Sequence, residues 1–192
     1  MNLIKFIFAG LCVFFIISCN ESDIPVFYSK NSVVVTGIVF TFETSPEDYG
    51  VWGSPSNNNG DNKTLRISNA YPNPTIVSLS ISYQILKNSQ VKIWVVPAVL
   101  SSTIDANYSQ RTTALFTQPD LYFIKPLLDD FLKVGYYSST WNAKDSEGND
   151  LPGGFYRIYI KAGDVLGWQD ILLYRSSDDL PADLKYFYRR PW

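Results

Sequence analysis

The sequence predicts an all-β protein built as an antiparallel β-sandwich, and three observations carry that prediction. Aromatic residues make up 16% of the 192 residues, with thirteen Tyr, twelve Phe and five Trp against a single Met, a bias toward strand formers. Several short segments alternate apolar and polar side chains with the period of a half-buried strand. Turn residues, rather than helical stretches, separate those segments, which favours packed antiparallel sheets over a βαβ arrangement.

The chain begins with a segment that is not expected to be part of the fold. Met1 to Lys5 holds one positive charge, Phe6 to Ile17 is almost wholly apolar, and a small residue, Ser18, precedes Cys19. A charged lead and an apolar run too short to span a bilayer comfortably describe a secretory signal peptide over residues 1–18. Ile16-Ile17-Ser18-Cys19 resembles the bacterial lipobox, with Ile16 standing where that pattern usually has Leu. The resemblance implies cleavage before Cys19 and its acylation, with palmitate or a similar chain, so that the protein is anchored to a membrane it does not span. An uncleaved membrane anchor is the other reading of the same residues. Residues 19–31 read as a tether, and its acidic Asn20-Glu21-Ser22-Asp23 resembles the export signals of surface-exposed lipoproteins. The expected address is the cell envelope, at the outer membrane or cell surface.

Residues 32–64 form an additional N-terminal region. Ser32 to Glu43, rich in β-branched and aromatic residues, reads as one or two strands, with Val34, Ile38, Phe40 and Phe42 on one face. Thr44 to Lys63 is dense in Pro, Asn, Gly and Asp and reads as a linker or long loop around a solitary Trp52. Residues 65–175 hold the main series of strands. Ile76 to Ile85 alternates most cleanly, with Val77, Leu79, Ile81, Tyr83 and Ile85 inward; Gln90–Val96, Tyr136–Trp141, Phe155–Lys161 and Trp168–Arg175 follow. One short helix is expected at Pro126 to Leu132, where PLLDDFL groups Leu127, Leu128 and Phe131.

Two stretches of this region, SNAYPNPTIVSLSISY from Ser68 and WNAKDSEGNDLPGGFYRIYI from Trp141, resemble a particular Ig-like domain. It is the domain of the flagellar hook-capping protein and, in related form, of C-terminal sorting domains in type IX secretion cargo. The matching residues are Tyr71-Pro72-Asn73-Pro74, Trp141, Asp145, Gly148, Asn149, Pro152, Gly154 and Tyr156, with a last strand ending in a basic residue, Arg175. The resemblance implies an Ig-like antiparallel β-sandwich over residues 65–175. Residues 97–123 replace a short turn of the pattern and form an insertion, while 176–192 extend past the last strand as an aromatic and basic tail. With that extension and a lipid anchor already supplying an address, the domain is not expected to act as a secretion signal.

Composition narrows the chemistry. The formal charge of −2 argues against nucleic acid as a partner. The chain has no histidine, which removes Ser-His-Asp and Cys-His nucleophiles and most zinc sites. Its two cysteines are Cys12, inside the signal peptide, and Cys19, so disulfides are not expected to stabilise the mature protein. No catalysis and no cofactor are expected. The DSEGND stretch offers weak metal candidates in Asp145, Glu147 and Asn149, yet it lacks the Gly and the terminal Glu of a calcium loop and reads best as a turn. Interaction is the remaining role, through a protein partner in the envelope. Tyr122 in the insertion and Tyr188, Arg189, Arg190 and Trp192 in the tail are candidates for it. Trp52, Trp94 and Trp168 are candidates too, and if exposed together they would suit a glycan.

Overall fold

The structure, a computed structural model, describes residues 33–42, 45–101, 126–145 and 147–185. The expected signal peptide, Cys19, the tether, most of the insertion and the end of the tail lie outside the described residues.

Strands dominate what is described. They are β1 (Val34–Val35), β2 (Gly37–Phe42), β3 (Ser45–Gly53), β4 (Leu65–Ile67) and β5 (Leu79–Ile85), followed by β6 (Ser89–Leu100), β7 (Leu128–Leu132), β8 (Gly135–Trp141), β9 (Gly154–Ala162) and β10 (Val165–Leu173). Two single 3-10 turns, Ser177–Asp179 and Ala182–Leu184, come after β10. The small sheet runs β4-β5-β8. The large sheet runs β6-β9-β10, and β6 takes two further partners along its other side: antiparallel β7 and parallel β1. β2 and β3 pair as a separate hairpin.

Alternation explains how the two main sheets face each other. β5 turns Leu79, Ile81, Tyr83 and Ile85 inward and keeps Ser80, Ser82 and Gln84 on its outer side. β6 and β9 reply with Val91, Ile93 and Val95 and with Ile158, Ile160 and Ala162. These side chains share one core with Leu65, Ile67, Trp141, Ile171 and Leu173. Gly167 in β10 lets the layers approach closely, because a β-carbon there would collide with the Ile67 side chain and the Asn58 carbonyl.

A second, smaller core lies on the opposite face of the large sheet. Ala98, Leu100, Phe155 and Leu172 are covered there by Val35 and Ile38 from the N-terminal strands and by Leu180 and Leu184 from the two 3-10 turns. β6 changes partner between its two ends. Leu127 N donates to Ile93 O, and Val99 N donates to Val33 O, so the odd-numbered residues aim their backbone at that side. Pro97, which has no N–H to offer, falls at an odd position between the two partners.

The structure corrects four expectations. Pro126–Leu132 forms no helix; β7 pairs with β6 from Ser89↔Leu132 to Ile93↔Leu128. Seven residues are too few to sustain a helix against that ladder. Ser45–Gly53, expected within a linker, is a strand paired with β2. Val35 rather than Val34 faces the protein, and Val34 is 49% exposed. Val77 precedes β5 and is exposed, so the alternating strand begins at Leu79.

Candidate functional site

The two recognised motifs meet at Arg175. Its guanidinium donates to the carbonyls of Ile76 (from NH1), Ala143 (3.1 Å) and Leu151 (3.3 Å). Ile76 lies just after the Tyr71–Pro74 turn, while Ala143 and Leu151 bracket the DSEGND turn and join through Leu151 N to Ala143 O, 2.9 Å. One cation therefore fastens two loops by three carbonyls.

The acidic turn is organised by Asp145. Its Oδ1 accepts from the N–H groups of Glu147 and Asn149, each at 2.9 Å, and its Oδ2 accepts from Asn149 Nδ2 at 3.0 Å. The Asn149 side-chain bond and these backbone donors hold the carboxyl below its usual range. Asn149 presents a donor to this carboxylate, and the exposed Glu147 accepts from the same amide nitrogen at 3.5 Å. Asp150 pairs with Lys144 Nζ at 2.8 Å across the same turn. Among the described residues no group of three or more acidic, Cys or His side chains is placed to share a metal ion.

Asn73, in the Tyr-Pro-Asn-Pro motif, has a role that its sequence context does not announce. The two X-Pro peptide bonds of the motif, Tyr71-Pro72 and Asn73-Pro74, are cis. The buried side chain donates to Val39 O (2.8 Å) and Asp170 O (3.0 Å) and accepts from Leu172 N (3.0 Å). Its backbone bridges to Thr41, with Thr41 N donating to Asn73 O at 2.8 Å. The amide therefore ties the N-terminal hairpin to the edge of β10.

The tryptophans divide between core and surface. Trp141 is fully buried, tilted against Tyr156 with ring centroids 5.1 Å apart. Trp52 stacks on Phe155 at 5.9 Å, beside the second core. Trp94 and Trp168 gather on the outer face of the large sheet on either side of Tyr159. Trp94 stacks on Tyr159 at 5.1 Å, and Tyr159 meets Trp168 at 6.3 Å. All three are half-buried; Trp94 and Tyr159 face one another, interplanar angle 18°, whereas Trp168 is tilted by 55° against Tyr159. Trp168 Nε1 donates to Ser56 O at 2.7 Å, and the Arg157 guanidinium lies 5.5 Å from its ring centroid.

Arg157 also grips Asp170 with two bonds, Nε to Oδ1 at 2.5 Å and NH2 to Oδ2 at 2.8 Å. The Asp170 side chain is 0% exposed. Burial pushes its carboxyl above the ordinary value, while the bonds from Arg157 and Ser56 pull against that shift. Arg157 NH2 further donates to Val34 O and Ser56 Oγ, so the ion pair holds the N-terminal strand and the 54–60 segment to the sheet.

Of the residues singled out by sequence, the structure brings together Trp94 and Trp168, sets Trp52 apart, and places Asp145, Glu147 and Asn149 in one turn. Cys19, Tyr122, Tyr188, Arg189, Arg190 and Trp192 lie outside the described residues. Sequence reasoning missed Tyr159, Arg157 and Asp170, although a signal existed. The two-residue turn Gly163-Asp164, with Gly163 at φ 58°, is a hairpin signature, and its register sets Tyr159 opposite Trp168 and Arg157 opposite Asp170. No protein-family model matches the chain, and neither a curated protein nor a solved structure does.

Proposed function

We propose that the chain is a lipid-anchored protein of the cell envelope whose Ig-like β-sandwich works as a non-catalytic structural or protein-interaction module. The observation that carries this reading is the employment of its polar side chains. Arg175, Asp145, Asn73 and the Arg157–Asp170 pair all have bonding groups directed at the backbone, at each other or at the neighbouring side chains of Asn149 and Ser56, as ties between loops and strands. Groups held in this way position a scaffold; they do not converge on a substrate. The Ig-like assignment is supported by two further contacts. Tyr156 Oη donates to Pro152 O at 2.7 Å, a bond of the tyrosine-corner kind, and Trp141 packs in the core against that same ring.

The anchor is tested by growing cells on radioactive palmitate and isolating the wild-type chain and Cys19→Ala. Label on the wild type alone, with the variant lost from the membrane fraction, is the expected result; equal labelling overturns the lipoprotein reading. One observation favours glycan binding as a second role, the gathering of Trp94, Tyr159 and Trp168 on one face beside Lys92 and Lys161. It stands second because Trp94 and Tyr159 already stack on one another, whereas a sugar needs an open ring face. A glycan array on which Trp94→Ala loses the wild-type signals would support it, and an array without wild-type signals would remove it.

A further inference from the structure

β-Sheets must manage their edges, because a bare edge offers unpaired N–H and C=O groups to any passing strand. In this protein four other sheet edges carry identifiable protection among the described residues. The free side of β4 is occupied by the preceding loop, with Ile67 N donating to Asn59 O. The free side of β10 is occupied by Asn58, whose backbone exchanges bonds with Trp168, and by Asn73 and Thr75. β7 carries Asp129 and Asp130 at its centre, and Asp130 Oδ1 accepts from Phe131 N. The outer strand of the hairpin, β3, contains Pro46, Glu47 and Asp48.

β8 has none of these devices. Ser80 exchanges backbone bonds with Tyr71, and Ser68 N donates to Ser82 O, so the even residues of β5 aim away from β8. The odd residues of β5 consequently bond Gly135, Tyr137, Ser139 and Trp141. That leaves the N–H and C=O of Tyr136, Ser138 and Thr140 directed at the open edge, with no backbone partner among the described residues. All three side chains are exposed, Tyr136 by 81%. Between Gly135 and Trp141 the strand has no charge, no proline and no bulge.

We propose that β8 is the seam of a homodimer, in which a second copy of this chain adds its own β8 antiparallel to the first about a two-fold axis at Ser138. The two small sheets then join into one continuous sheet, β4-β5-β8 followed by β8-β5-β4 of the second copy. The charge pattern selects this occupant. An uncharged strand meets itself without repulsion, whereas β7 paired with itself would crowd Asp129 and Asp130 against their own copies. The side chains match as well: the axis sets Tyr136 opposite Thr140 of the second copy, an aromatic against a β-branched residue, and Ser138 opposite Ser138. An unrelated extended peptide would gain the backbone bonds without that pairing. The proposal does not depend on the lipid anchor.

Sedimentation of the full chain in detergent, across a concentration series, tests it. The wild type is expected to reach a dimer. Ser138→Lys, whose charge would face its own copy, is expected to weaken the dimer by about tenfold or more. Ser82→Lys, on the same outer face but in the central strand β5, is expected to leave it intact. Ser138→Cys should give a disulfide-linked dimer on mild oxidation that the wild type and Ser82→Cys do not give. A wild type that stays monomeric, a dimer indifferent to Ser138→Lys, or no cross-link from Ser138→Cys overturns the proposal. Should Ser138→Lys fail to fold, the cross-link decides.

Discussion

Asn73 donates from one amide nitrogen to carbonyls on two strands, Val39 in β2 and Asp170 in β10, and accepts from Leu172 with its oxygen. Replacing it by Ala would remove the partner of two buried backbone groups and one half-buried one, each buried group worth about 1–3 kcal/mol. The expected loss for Asn73→Ala is therefore about 3 kcal/mol or more, seen in thermal unfolding as a Tm lower by roughly 6–12 °C. Asn73→Asp should be at least as damaging, because a carboxylate cannot donate to either carbonyl and adds a buried charge. A Tm within about 2 °C of the wild type in both variants would show that the amide is dispensable. The motif around Asn73 was legible in the sequence as a stiff turn, since two prolines fix its backbone. Its reach across to two strands was not, because nothing local says which carbonyls will lie within 3 Å of a side chain. The same holds for Arg175, which is recognisable as the basic end of the last strand but not as the tie between Ile76, Ala143 and Leu151.

Among the elements, legibility tracks whether one physical rule acts alone. β9 is found to within a residue at each end and β5 ends at Ile85 as read, though it starts at Leu79 rather than Ile76; from Leu79 and from Tyr156 onward buried residues alternate with less buried ones, because one face meets the core. β7 was read as a helix because Leu127, Leu128 and Phe131 could share a helical face. The strand instead turns Leu128 and Leu132 toward the core side and leaves Phe131 58% exposed, with Asp129 accepting from Gln90 at 2.9 Å and pairing with Lys92 at 3.6 Å. Long-range pairing overrides local grouping there. The Asn-rich stretch fails for a different reason. Asn, Gly and Asp usually mark loops, and Asn57 to Gly60 is irregular, but its amides do the work of a strand along β10. Asn57 Nδ2 donates to Gln169 Oε1 at 2.8 Å, Gln169 Nε2 to Asn59 Oδ1 at 2.5 Å, and Asp170 N to Asn57 Oδ1 at 3.0 Å. Composition alone cannot separate a solvated linker from a polar edging, because both are built of the same amides. The candidate aromatic row was half legible for a similar reason. Trp94 and Trp168 stand out by type, whereas Tyr159 between them emerges only once the Gly163-Asp164 hairpin fixes the register.

For the whole molecule, the absence of histidine and the directions of four carboxyl shifts set the response of stability to pH. Asp61 is held below its ordinary value by the backbone N–H groups of Thr64, Lys63 and Leu65, Asp145 by Asn149 and its turn, and Asp150 by Lys144. A carboxyl with a lowered folded pKa contributes stability above its unfolded value, about 3.9, and loses it as pH falls toward the folded value. These three groups therefore weaken the fold in acid. Asp170 acts with the opposite sign: burial raises its folded pKa, so the unfolded chain gives up that proton first as pH rises. Its contribution declines with rising pH between the unfolded and folded values and then stays level. With no histidine in the chain, no side chain of ordinary pKa titrates from about pH 6 to 8. Denaturant midpoints measured from pH 2 to 9 should thus fall steeply below about pH 4, reach their maximum on the acidic side of neutrality, and run flat through about pH 6–8. Asp61→Asn keeps an oxygen at the position that accepts from Lys63, Thr64 and Leu65, and removes the charge that titrates. It should keep the fold and shallow the acid limb, whereas an unchanged limb, or a wild-type transition centred between about pH 6 and 7, would contradict the assignment of acid sensitivity to these turn carboxylates.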